Sequence, residues 1–150
     1  MHAATNYGTK ADRALGMWVK LARAYAVFNK VSTHDIRRHG LTQPQFGAIE
    51  CLFHRGSMTI GELSRKMLVS GGNMTCVIDN LEKDGLVQRI HSGEDRRSVI
   101  VELTVKGREI TDRIFPQHVR VIEDAASVLT EAEQSELARL LKKLGTGISA

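Results

Sequence analysis

Two runs of β type, "LVQRI" at 86–90 and "VIVEL" at 99–103, stand on either side of the segment "HSGEDRRS". Both are short, branched-apolar and bounded by turn residues, and Ser92-Gly93 supplies a turn, so the pair predicts a β-hairpin. Two short helical segments come directly before it. "TIGE" pairs Thr59 with Glu62 as a capping box and opens a helix through Leu63 to Met67. Ser70 caps a second helix, in which Met74, Val77, Ile78 and Leu81 face inward and Gly85 stops the run. The order helix, short connection, helix, hairpin leaves few folds open.

Long helices flank this middle section. From residue 12 to 38 an apolar stripe runs through Leu15, Trp18, Ala22, Tyr25, Phe28 and Ile36 and is closed by Gly40. Thr42 and Gln45 form another capping box, with Pro44 in the first turn, and open a helix carrying Phe46, Ile49, Leu52 and Phe53. Thr104 begins a long helix through Ile110, Ile114, Val121 and Ile122, which Pro116 is expected to kink. Thr130 and Glu133 cap a last helix with Leu137, Leu140, Leu141 and Leu144 on one side. The predicted order is α-α-α-α-β-β-α-α: mainly α with a small β-hairpin, in a chain of 150 residues read as one domain.

Composition excludes more than it selects. No apolar run is long enough for a bilayer, and the two cysteines do not make a disulfide framework, so a cytoplasmic setting without membrane contact is expected. The net charge of +4 comes from the first 54 residues, and it fits enzymes as well as nucleic-acid proteins. No Ser/His/Asp order and no glycine-rich phosphate loop after a strand points to an enzyme, and no cofactor is implied. Cys51 and His54 have a C-x-x-H spacing without a second paired motif, so they read as a core thiol and a surface imidazole rather than a metal site.

The middle of the chain has the order of a winged helix-turn-helix, whose second helix enters the DNA major groove by its N-terminal end. With Met74, Val77, Ile78 and Leu81 inward, helical geometry turns Gly72, Cys76, Asp79 and Lys83 outward, flanked by Asn73, Thr75 and Asn80. Gly71 and Gly72 each cost a helix about 1 kcal/mol against alanine. Either they ease a tight turn, or the missing side chains let a phosphate lie against the first turn, where free N–H groups favour an anion. Arginines at a hairpin tip suit the negative potential of the minor groove. Cys76 lies on the reading face, where an electrophile adduct would bring bulk against DNA.

The block "GNMTCVIDNLEKDGLVQRIHSGEDRRSVIVELTVKG" resembles the signature of the MarR family of bacterial transcriptional regulators: T-x-x-I-D-x-L-E-x-x-G-L-V-x-R, then D-R-R, then L-T-x-x-G. The likeness extends over nearly the whole chain. It implies a homodimer on palindromic double-stranded operator DNA. The winged helix-turn-helix core would span about 42–104, and the dimerisation helices about 12–38 and 105–146. By position, Arg96 is similar to the wing arginine of the minor groove. Arg97 is similar to the arginine that pairs with the helix aspartate, here Asp79. Ser70, Asn73 and Thr75 fall where members contact phosphates or bases, and Thr59, Gly71, Gly72, Cys76 and Asn80 complete the candidate DNA-binding set.

Cys76 stands where many members carry an arginine, so no operator sequence carries over. "SGGNMTCVIDNLEKDG", "EDRR" and "IFPQHVRVIEDAASVLTEAE" look most like a branch that responds to hydroquinones and catechols. A phenolic or quinone effector would lie between the dimer helices and the DNA-binding lobe, with Trp18, Tyr25, His39 and Phe46 as candidate residues. His39 and His118 are donors suited to a phenolic hydroxyl. Periodicity alone predicts core packing for Trp18, Tyr25, Phe28, Phe46 and Phe53. The competing reading is a winged helix used only for protein–protein contact.

Overall fold

A computed structural model describes residues 6–67, 71–91 and 99–148. Nine elements follow in order: α1 (Thr9–Arg38), α2 (Gln43–Arg55), β1 (Met58–Thr59), α3 (Ile60–Met67), α4 (Gly71–Lys83), β2 (Val87–His91), β3 (Val99–Leu103), α5 (Val105–Ala126) and α6 (Glu131–Gly147). The expected hairpin is therefore part of a three-stranded antiparallel sheet of order β1-β3-β2. Met58 pairs with Val101 and Thr59 with Ile100. Two residues give no period, so β1 left no pattern to read beside the capping box that overlaps it.

The helix starts follow from their caps. Thr42 accepts from the Gln45 N–H while the Gln45 side chain accepts from the Thr42 N–H, and Thr130 and Glu133 close the same reciprocal pair. Thr59 and Glu62 do so at the head of α3. Each box satisfies two N–H groups that a first turn leaves open. At the other end of α4, Gly85 adopts φ +75° and the Leu86 N–H donates to the Leu81 carbonyl, a Schellman closure that needs a residue without Cβ.

The core belongs to the middle of the chain. Phe46, Ile49 and Leu52 of α2, Leu63 of α3, Met74, Ile78 and Leu81 of α4, and Val87 and Val101 of the sheet are buried together, with Ile36 and Ile114 closing it from α1 and α5. α1 buries only Asp35 and Ile36, and α6 buries nothing. This corrects the expectation of core packing on α1. Trp18 and Tyr25 remain 60% and 65% exposed, and Phe28 is exposed as well. Phe46 is buried, and Phe53 is half-buried against the core. An apolar stripe specifies that a face needs cover, and among the described residues α1 is buried only in its last turns.

Pro116 lies inside α5, which runs unbroken from 105 to 126. α5 is joined to the lobe at its start. The Thr104 hydroxyl donates to the Gly85 carbonyl at 2.6 Å, the Thr104 N–H to the Leu86 carbonyl at 3.1 Å, and Lys106 Nζ to the Asp84 carbonyl at 2.8 Å. None of the helices is long and apolar enough to cross a membrane among the described residues.

Candidate nucleic-acid interface

The outward face of α4 begins with two glycines, and both stand in open space. A Cβ added at Gly71 or Gly72 would meet nothing within 4 Å. Among the described residues the positive-φ glycines are Gly8, Gly40, Gly56 and Gly85, and neither of these two is one of them. Among the described residues nothing demands glycine at the head of α4. That observation weighs against the turn-easing reading and for close approach by a partner.

Met74, Ile78 and Leu81 are fully buried beneath α4, and their spacing fixes what points away. Gly71, Gly72, Asn73, Thr75, Cys76, Asp79 and Asn80 are all exposed along the opposite side. The Thr75 hydroxyl donates to the Gly71 carbonyl at 2.9 Å, and the Asn80 amide contacts Cys76 Sγ at 4.0 Å. The first turn holds no acidic residue, so nothing there opposes the positive end of the helix dipole. Ser70, Arg96 and Arg97 lie outside the described residues. Thr59 is half-buried, engaged in the α3 cap and in the sheet. Its backbone N–H binds Glu62 and holds that carboxyl below its ordinary value.

Asp79 has a partner that the sequence reading did not name. Arg89 of β2 donates from Nη2 to Asp79 Oδ1 at 2.5 Å and from Nη1 to Glu82 Oε1 at 2.8 Å. Its own backbone N–H reaches Glu82 Oε2 at 3.1 Å. Burial works against the charge on Arg89, and the hydrogen bonds to Asp79 and Glu82 outweigh it, so its pKa sits above the ordinary guanidinium value. Sequence marked the two carboxylates and the strand face, but not their pairing. Asp79 and Glu82 are three apart on one helix face, and Arg89 shares a strand face with buried Val87.

The four candidate effector residues are not brought together within one chain. Trp18 and Tyr25 lie up the exposed part of α1, roughly 31 and 21 Å of helix from His39 at 1.5 Å per residue. His39 is half-buried and Phe46 is in the core. The structure instead assembles a polar cluster that pattern reading missed. Asp35 is buried, and His118 Nδ1 lies 2.9 Å from its Oδ2, with His39 Nε2 at 3.7 Å from the same oxygen. The His118 ring packs against Phe46 at 4.6 Å between centroids. Next to this cluster, α1 and α5 leave an open groove of about 560 Å³ bordered by Asn29, Val31, Thr33, His34, Asp35 and Val121. Cys51 is half-buried with Sγ 3.9 Å from Met58 Sδ, and His54 is exposed, edge-on to Phe53 and Phe115.

Comparison with known proteins gives the same picture. A family model described as "MarR family" matches residues 41–99. The chain is 37% identical over 136 residues to the HTH-type transcriptional regulator YkoM of Bacillus subtilis (strain 168), covering 91% of this chain and 88% of that one. It is 34% identical to the HTH-type transcriptional regulator MhqR of the same organism, covering 89% and 92%. Among solved structures, Sco3205, a MarR family transcriptional regulator from Streptomyces coelicolor in complex with DNA, superposes with a TM-score of 0.84 at 21% identity. That superposition covers 99% of this chain and 94% of that one.

Proposed function

The chain belongs to the MarR family of transcriptional regulators, which are DNA-binding proteins and not enzymes, and from that premise we propose that it is a ligand-responsive repressor binding a palindromic operator as a homodimer. The observation that carries the reading is the head of α4. It offers an acid-free first turn whose two glycines the fold does not require, on a helix anchored by three buried side chains. In this reading Gly71 and Gly72 admit a phosphate to the helix N-terminus, with Ser70 at the cap. Asn73, Thr75, Cys76 and Asn80 face base edges and backbone, and Thr59 holds the first helix of the pair against a phosphate. Arg96 enters the minor groove from the wing, while Arg97 draws the wing toward Asp79.

Dimerisation is supported by what the chain leaves uncovered. Leu15, Trp18 and Tyr25 of α1 and Leu137, Leu140 and Leu141 of α6 are exposed on the two terminal helices. A lone helix with no buried residue is not self-supporting, so α6 packs on residues 12–38 of a second copy. The groove between α1 and α5 borders that surface, and a small phenolic or quinone bound there reaches both the frame and the lobe. A regulator of chromosomal DNA works in the cytoplasm.

The test is a fluorescence-anisotropy titration with the DNA upstream of the protein's own gene. Saturable binding that outcompetes unrelated DNA, and that weakens when a catechol or hydroquinone is added, is the expected result. Equal affinity for all sequences, or none, would leave a winged helix that serves protein contacts only.

A further inference from the structure

Resting on the DNA-binding reading, we infer that Arg89 is a positioning residue for DNA recognition, locking the wing's first strand to the recognition helix as one rigid unit. Three contacts define the lock: Nη2 to Asp79, Nη1 to Glu82, and the Arg89 backbone N–H to the second oxygen of Glu82. The two carboxylates sit one turn apart on α4, and the planar guanidinium spans both. Strand β2 is thereby fixed in rotation and height against the C-terminal half of α4. Val87, two residues earlier on the same strand face, is buried, so the strand that carries Arg89 is anchored in the core.

Its second effect is electrostatic. Asp79 and Glu82 are both exposed on the helix that is to approach phosphate, and the remaining cation on its last turn is Lys83. Arg89 draws both carboxylates back toward the sheet and offsets one of their charges. A wing and a recognition helix that move together bring their contacts to two grooves in one fixed spacing. Sequence discrimination depends on that spacing, whereas sequence-independent phosphate attraction does not. Ion pairs this exposed add little to folding, so variants at Arg89 remain folded.

The experiment uses full-length protein and a site enriched by the wild type from a random DNA pool. Affinity for that site and for unrelated DNA is measured for wild type, Arg89→Ala and Arg89→Lys, with thermal melts as controls. Lysine keeps the charge and cannot span both carboxylates. The expected result is that both variants lose about tenfold or more of the preference for the selected site, with melting temperatures near wild type. Arg89→Lys should also keep its affinity for unrelated DNA, and amide hydrogen exchange across 79–91 should rise without DNA present. Wild-type preference in Arg89→Lys would overturn the inference by reducing the role to charge. Parallel loss of both affinities with a lowered melt would overturn it by reducing the role to stability. A wild type that enriches no site removes the DNA-binding reading itself, and the inference with it.

Discussion

The lobe formed by α2, α3, α4 and the sheet is closed over its core, whereas the frame of α1 and α6 is open. Leu63, Met74, Ile78, Leu81 and Val101 have no exposed surface, while Trp18, Tyr25 and Val27 of α1 each expose 60% or more. Both regions carry apolar stripes of similar spacing in sequence. A stripe therefore reports that a face will be buried, and not whether its cover lies in the same chain. The lobe is finished by its own residues, and the apolar faces of the frame stay exposed in the single chain.

The largest effect is expected where α5, which packs on α1 of the frame, joins the lobe. Gly107, in the first turn of α5, is buried with its Cα against the carbonyl of Leu86; an added Cβ would fall 2.1 Å from that oxygen. The Leu86 carbonyl already accepts from the Thr104 N–H, so it is held and does not move aside. Gly107→Ala should cost about 3 kcal/mol or more, through displacement of α5 from the end of α4. Thermal and denaturant melts read the loss directly. A loss below about 1 kcal/mol would show that lobe and frame are less firmly joined than these contacts state.

Much of the lobe was legible in sequence because its signals are local. The capping boxes at Thr42 and Thr59, the inward series Met74, Ile78 and Leu81, and the stop at Gly85 each act within a few residues. The interface face of α4 followed from the same phasing. What stayed hidden depends on contacts between distant segments. Asp35 and His118 are 83 positions apart, and a buried carboxylate has no periodic signature. The partner of Asp79 among the described residues is Arg89, across a turn and a strand, and no spacing rule selects that arginine. Gly107 belongs to the "LTVKG" motif, yet its steric reason appears only when the Leu86 carbonyl is placed beside it. The α1 aromatics were misread for the opposite cause: their periodic signal was real, and none of the described residues of the chain covers them.

The next effect separates frame from lobe. Trp18→Ala removes a side chain that is 60% exposed in one chain, so the lobe should keep its stability and its hydrogen-exchange protection. The homodimer should weaken by about 2 kcal/mol, the scale of a buried aromatic anchor at an interface, seen in sedimentation as a shift of the dimer to higher concentration. An unchanged dimer would place the interface elsewhere on α1 or α6. A lowered melt at high dilution would show that Trp18 packs within its own chain.

The smallest effect comes from matched caps in the two regions. Thr59 and Glu62 head α3 in the lobe, and Thr130 and Glu133 head α6 in the frame, with the same pair of hydrogen bonds. Each threonine-to-alanine change should cost about 1 kcal/mol of helix stability. Thr59→Ala should lower the melt independently of protein concentration, because α3 carries buried Leu63 and Ser64. Thr130→Ala should lower it in a concentration-dependent way, because α6 has no buried residue within the single chain and its stability then depends on association. Glu62 adds a pH signature to the lobe. The Thr59 N–H depresses its folded-state pKa, so its stabilisation is present above the ordinary value of 4.5 and is lost as pH falls through the lower folded value. Glu62→Gln should flatten that part of the melt-versus-pH curve. Identical curves for wild type and Glu62→Gln would mean that the α3 cap holds through the threonine hydroxyl alone.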